Sequence, residues 1–149
     1  MELVGNGVVF AHFMVMSNEL STPKVLICPQ QKDKSIVSAT TFDRSASGQA
    51  NRIPFTNDNN VSYFVGVDAA DTYPQMFLSG DDNLLINRVP LKHGLVMMGT
   101  NLPVTWSAAR HVNQGNIALA DGSVQQFNNL RLWQAMTNTG IATNRLLIP

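Results

Sequence analysis

Arg110-His111-Val112-Asn113-Gln114-Gly115-Asn116-Ile117-Ala118-Leu119-Ala120-Asp121-Gly122-Ser123-Val124-Gln125-Gln126-Phe127 reads as a β-hairpin, and the other segments can be placed around it. Two short runs, Asn116 to Ala120 and Ser123 to Phe127, flank the dipeptide Asp121-Gly122. Asp-Gly is a strong short-range hairpin signal, because both central residues of a type I′ turn need positive φ and these two residues tolerate it. In the first arm Ile117 and Leu119 fall on one side; in the second, Gln126 interrupts the apolar side before Phe127. Asn113-Gln114-Gly115 reads as a preceding turn, which makes Thr105 to His111 a neighbouring strand of a meander.

The interval from His111 to Asp121-Gly122, with nine residues between, resembles the H-x9-DG motif of bacterial type IV prepilin and type II secretion pseudopilin-like proteins, abundant in planctomycete and verrucomicrobial lineages. Lys24-Val-Leu-Ile-Cys-Pro29 resembles the strand ending in Cys-Pro that those proteins carry after a long N-terminal helix. Segments Val61 to Asp68, Pro74 to Asp81 and Thr143 to Pro149 are similar to family segments in the same order, so the resemblance spans roughly residues 8–149. It implies an α+β, pilin-like fold: an N-terminal helix packed on an antiparallel sheet, with a small C-terminal helix. The family's leader, its processing site with Phe and Glu, and its apolar stretch of about 20 residues are not found. The expectation is a trimmed form or a natural soluble relative.

With 149 residues, 44% of them hydrophobic, the chain suits one domain, residues 1–149, with a real core. Charged residues make up only 13%, and ten basic residues balance ten acidic ones. No basic patch supports binding to nucleic acid or an anionic membrane, and self-repulsion is small. Gly7 to Met16, interrupted by His12, is too short to cross a bilayer, so no membrane contact is expected of this chain.

Taken in order, Gly7 to Leu20 reads as an amphipathic helix through Val9, Phe13, Met16 and Leu20, with Asn6 as N-cap and Ser21-Thr22-Pro23 as its stop. Under the resemblance it is the remnant of a pilin spine helix. Val25 to Ile27 reads as a short buried strand. Gln30 to Asn60 is irregular, with Ile36-Val37, Ile53 and Phe55 as anchors. Val61 to Asp68 and Gln75 to Ser79 read as strands, with Tyr63, Val65 and Val67 sharing a face. Gly80-Asp81-Asp82-Asn83 reads as a turn, and Leu84 to Ile86 as a strand paired with Leu95 to Met98. Leu130 to Thr137 reads as a helix capped by Asn128 or Asn129, burying Leu132, Trp133 and Met136 and closed by Gly140. Leu146-Leu147-Ile148 reads as an apolar tail that docks.

No catalytic signature is present: no G-x-S-x-G, H-E-x-x-H or phosphate-binding glycine loop. The expectation is therefore no enzyme, no catalytic residue and no cofactor or metal site. His111 and Asp121 invite pairing, but an intervening strand rising about 3.3 Å per residue sets them on the order of 15 Å apart. His111 then reads as a structural, hydrogen-bonded histidine and Asp121 as a turn residue. Cys28, the single cysteine, excludes a disulfide and a cysteine-based metal site and reads as a buried strand-end residue. Asp68, Asp71, Asp81 and Asp82 lie in expected loops and could serve calcium, which pseudopilins bind as a group, but their spacing fits no EF-hand.

The function expected from the resemblance is that of a structural subunit, the globular head of a pseudopilin or type IV pilin-like protein. It would act in the cell envelope by assembly with other pilin-like subunits or secretion machinery, and be mainly monomeric in isolation. The alternative is a soluble envelope module that holds a glycan or peptide with the Gln30 to Asn60 loop and Tyr73 or Trp106.

Overall fold

Alternation along two strands sets the layering. In β1 (Tyr63–Gly66), Phe64 points into one core while Tyr63 and Val65 point into another on the opposite face. In β9 (Thr143–Ile148), Leu146 and Ile148 join the first core and Leu147 the second. A strand with both faces covered loses its polar alternation, which is why Leu146-Leu147-Ile148 is continuously apolar. The computed structural model describes residues 7–149. Its main element is a six-stranded antiparallel sheet ordered β5-β9-β1-β2-β7-β8, with β2 Phe77–Asp81, β5 Gly94–Gly99, β7 Gln114–Leu119 and β8 Val124–Asn128. A three-stranded sheet, β4-β3-β6, joins β3 Leu84–Ile86, β4 Val89–Pro90 and β6 Val104–Trp106.

The first core fills the side of the main sheet that carries Phe64, Ile117 and Leu146, packed with Leu84 and Trp106 of the small sheet. Leu132 and Met136 of helix α3 (Asn129–Thr137) complete it. On the other face, Val9 and Phe13 pack with Leu26, Ala39, Phe55, Val61 and Leu147. Phe10 and Phe42 meet the Phe55 ring edge-on at 6.0 and 5.4 Å between centroids, the geometry aromatic quadrupoles favour.

This mostly-β architecture overturns the expected α+β pilin-like fold. Among the described residues no long N-terminal helix exists. The helix expected over Gly7 to Leu20 is two pieces, α1 (Phe10–Met14) and α2 (Ser17–Leu20), separated at Met16 with φ −96° and ψ 16°. Val9 and Phe13 of the stripe are buried and Leu20 packs half-buried against the same core, but Met16 between them faces solvent, so burial does not hold the helix continuous there. Asn6, the expected N-cap, lies outside the described residues. Asp58 instead accepts the Phe10 N–H at 2.6 Å.

Other corrections follow from local geometry. Val25 to Ile27 is not a strand: Pro23–Leu26 is a 3-10 turn, started by proline and capped by Thr22, which leaves Val25 exposed. Leu84 to Ile86 pairs with Val89–Pro90 and Val104–Trp106, while Gly94–Gly99 pairs with β9. The β3–β4 hairpin closes through Asn87 and Arg88, both at positive φ (51° and 67°), as a two-residue turn requires. Thr105 to His111 is therefore no meander partner of β7. Gly80 and Asp81 belong to β2, not to a turn. In the long segment Phe55 anchors as expected, but Val37 and Ile53 are exposed. Trp133 is half-exposed, whereas Leu132 and Met136 are buried; Asn128 caps α3 through the Arg131 N–H, and Asn129 accepts the Trp106 N–H at 2.7 Å.

The central hairpin is present, β7 against β8, with Ala118 opposite Val124, but its turn differs. Gly122 alone has positive φ, 83°, and its N–H donates to the Leu119 carbonyl at 2.9 Å. This is a tight turn through Ala120 and Asp121 followed by a glycine bulge, and Asp121 accepts the Ser123 N–H at 2.9 Å. A Cβ at Gly122 would meet open space, so Gly122→Ala should cost only the backbone penalty, about 1 kcal/mol. An unchanged urea midpoint would contradict it.

One ion pair ties β9 to the loop after β1. Arg145 donates from Nε to Asp68 at 2.9 Å and from its backbone N–H at 3.0 Å. Burial works to raise the Asp68 carboxyl, but the guanidinium and the two kinds of hydrogen bond from Arg145 outweigh it and hold the group below its usual 3.8. A carboxyl depressed in the folded state stabilises fully above its unfolded value, and that contribution is lost as pH falls through the folded value. Stability should therefore drop below about pH 4, less steeply in Asp68→Asn. Identical acid-unfolding profiles for the two chains would refute this.

Candidate functional site

Three distant segments meet at one end of β2. Cys28 follows the Pro23–Leu26 turn, which is bound to the sheet where the Leu26 carbonyl accepts the Ser62 N–H at 2.9 Å. Asp81 ends β2 opposite Tyr63, and its Oδ2 accepts the Asn116 N–H from β7 at 2.8 Å. His111 lies between β6 and β7, in a turn where His111, Val112 and Asn113 all have positive φ (51°, 51° and 60°). Three consecutive non-glycine residues in that region are held at a cost of roughly 1–2 kcal/mol each. Val112 is β-branched and exposed, so its own side chain gains little from the conformation. The result is that the imidazole turns inward.

His111 Nε2 lies 3.1 Å from Cys28 Sγ and 3.8 Å from Asp81 Oδ1. The three ligand-type atoms all fall within 4.8 Å of one another. Cys28 and Asp81 are 2% and 1% exposed, and the His111 side chain is 23% exposed. Beside them, Arg110 and Asp82 form a buried ion pair, and Arg110 Nη1 has no hydrogen-bond partner among the described residues. Burial first, then the charges of Cys28 and Asp81, push the Tyr63 phenol up to about 12 against the opposing effect of Arg110. Tyr63 is thus a neutral hydroxyl through the physiological range.

Cys28 and Asp81 both approach the same ring nitrogen. A nucleophilic relay instead needs the thiol on one imidazole nitrogen and the carboxylate on the other. The thiol is also too enclosed to meet a substrate. What the arrangement offers is convergence: one sulfur, one nitrogen and one oxygen from three chain segments.

Of the residues singled out in the sequence, His111 and Asp121 share no contact, since one meets Cys28 and the other Ser123. Cys28 is buried as expected, but it stands in a cluster of potential metal ligands where none based on cysteine was expected. The aspartates considered for calcium go separate ways: Asp68 to Arg145, Asp82 to Arg110, Asp81 to Asn116 and His111. Cys28, Asp81 and His111 are the one such trio of His, Cys, Asp or Glu found among the described residues. Trp106 is 1% exposed and cannot hold a ligand at the surface, whereas Tyr73 is exposed. The sequence hides the convergence of Asp81 on Cys28 and His111, because Gly80-Asp81-Asp82-Asn83 reads as a turn while Asp81 ends a strand. Nothing local in the sequence joins these three residues, which come from three distant segments.

Neither a protein-family model nor a curated protein nor a solved structure matches the chain.

Proposed function

We propose that the chain is a structural subunit of the cell envelope that works by assembly and not by catalysis. The resemblance to pilin-like proteins supports this role through its motif residues, not through the fold. The observation that carries the reading is strand β5, the terminal strand of the main sheet among the described residues. Gly94-Leu-Val-Met-Met-Gly99 contains no proline and no charge, and Leu95 and Met97 are exposed on it at 44% and 64%. Edge strands are ordinarily blunted by charge, proline or a cover, because unpaired backbone groups recruit further strands. An uncharged apolar edge on a chain of zero net charge suits pairing with a second copy, with little electrostatic repulsion to oppose it.

One edge and two apolar side chains make a weak contact. Sedimentation should show monomer at micromolar concentration and reversible association toward millimolar, abolished by Met97→Lys. Monomer throughout the concentration range would overturn the reading. The alternative, a glycan- or peptide-holding module, has its own support in a groove of about 610 Å³ whose lining includes Gln31, Lys32, Asp33, Asn59 and His93. Titration with envelope glycans and peptides tests it separately.

A further inference from the structure

We propose that Cys28, Asp81 and His111 form a binding site for a borderline-soft divalent cation, with zinc the best match. Tetrahedral zinc, with bonds of about 2.3 Å to sulfur and 2.0–2.2 Å to nitrogen and oxygen, holds its ligand atoms roughly 3.3–3.7 Å apart. The separations here, 3.1 Å from Sγ to Nε2 and 3.8 Å from Nε2 to Oδ1, bracket that range. The third pair, Cys28 Sγ and the Asp81 carboxylate, lies within 4.8 Å, so an ion bound here would draw the three ligand atoms together.

The donor types select the ion. Calcium and magnesium take oxygen ligands almost exclusively, whereas thiolate plus imidazole suits zinc and its first-row neighbours. On binding, the Cys28 thiol gives its proton to solvent and the sulfur lone pair forms the bond to the metal; no electron is transferred. The carboxylate is already oriented, because the Asn116 N–H occupies Oδ2 and leaves Oδ1 facing His111. Asp81 Oδ1 is 3.8 Å from the ring nitrogen, beyond hydrogen-bond length, on a carboxylate only 1% exposed. His111 is 23% exposed, so a water would reach the fourth position from its side. The ion would pin the N-terminal segment, the end of β2 and the left-handed turn together.

The test is metal retention by the whole chain. After loading with zinc and exhaustive dialysis, one zinc per chain should remain, and cobalt loading should give thiolate-to-cobalt charge-transfer absorption. Cys28→Ser, Asp81→Asn and His111→Ala should each weaken binding by more than the roughly 10–100-fold that losing an outer-shell partner costs. His12→Ala, at a histidine outside the cluster, should bind as the parent does. Circular dichroism checks that each variant is folded. Should the cluster variants fail to fold, the parent chain alone decides: absence of the cobalt–thiolate band overturns the site. Zinc retained in folded Cys28→Ser, or lost in His12→Ala, overturns it equally.

Discussion

Replacing Gly66 with alanine should destabilise the chain by on the order of 4 kcal/mol or more, among the largest effects a single substitution produces. A Cβ built at Gly66 would lie 1.7 Å from the Phe77 carbonyl oxygen and 2.8 Å from its carbon. Those atoms are backbone and cannot swing aside like the tip of a side chain. The pairing of β2 with β7 is irregular between Phe77 and Ser79, at the place where the Phe77 carbonyl presses on β1. Relieving the clash means parting β1 from β2, in the middle of the main sheet. For a chain of this size the loss corresponds to a melting temperature lower by roughly 8–16 °C. Gly48→Ala is the control: φ is 81° but nothing stands within 4 Å, so only the backbone penalty applies. If Gly66→Ala and Gly48→Ala melt together, the close approach of Phe77 is not a constraint.

Arg110→Ala should cost about 3–5 kcal/mol, the range for removing one partner of a buried ion pair. Arg110 is 6% exposed and Asp82 14%, so the carboxylate left behind has little water to turn to. The penalty lies mainly in that stranded charge. Arg110→Met combined with Asp82→Asn, which removes both charges, should therefore be milder than the two single changes added. Urea denaturation of the four chains reads this coupling, and strict additivity would show the pair to be solvated. Arg110 also adjoins His111, so the substitution should loosen the left-handed turn. Faster hydrogen exchange at Val112 and Asn113 would report that.

What could be read in advance follows the range of the interaction. The β7–β8 hairpin was legible because its turn and both arms lie within one short stretch, although Ala120 and Asp121 take a turn that needs positive φ only at Gly122. The sharing of a face by Tyr63, Val65 and Val67 was legible from alternation. The β3–β4 hairpin was not, since Arg88 at positive φ is no ordinary turn signal and is forced by the pairing around it. The N-terminal helix was over-read because a periodic stripe says which residues could be buried, while the partners for Met16 never arrive. The cluster was the least legible part. Cys28 and His111 are 83 positions apart, and Asp81 differs from Asp82 only in the strand register that turns one toward His111 and the other toward Arg110.

The place of β9 in the sheet also governs the order in which the molecule can form. Its residues, 143–148, sit between β5 and β1, which are otherwise unconnected by hydrogen-bonded strands. A chain emerging from the ribosome can close β7 on β8 and β3 on β4 as soon as each hairpin is made. β5, however, has no partner until the residues at 143–148 appear. Until then Leu95 and Met97 belong to a strand open on both edges, and neither hydrophobic core holds its Leu146, Leu147 or Ile148 contribution. Loop closure between β1 and β9 is a late, long-range step, which slows folding and leaves unpaired edges exposed meanwhile. The newborn chain is thus at its most aggregation-prone just before synthesis reaches Thr143, and a chaperone that shields β5 would act in that interval.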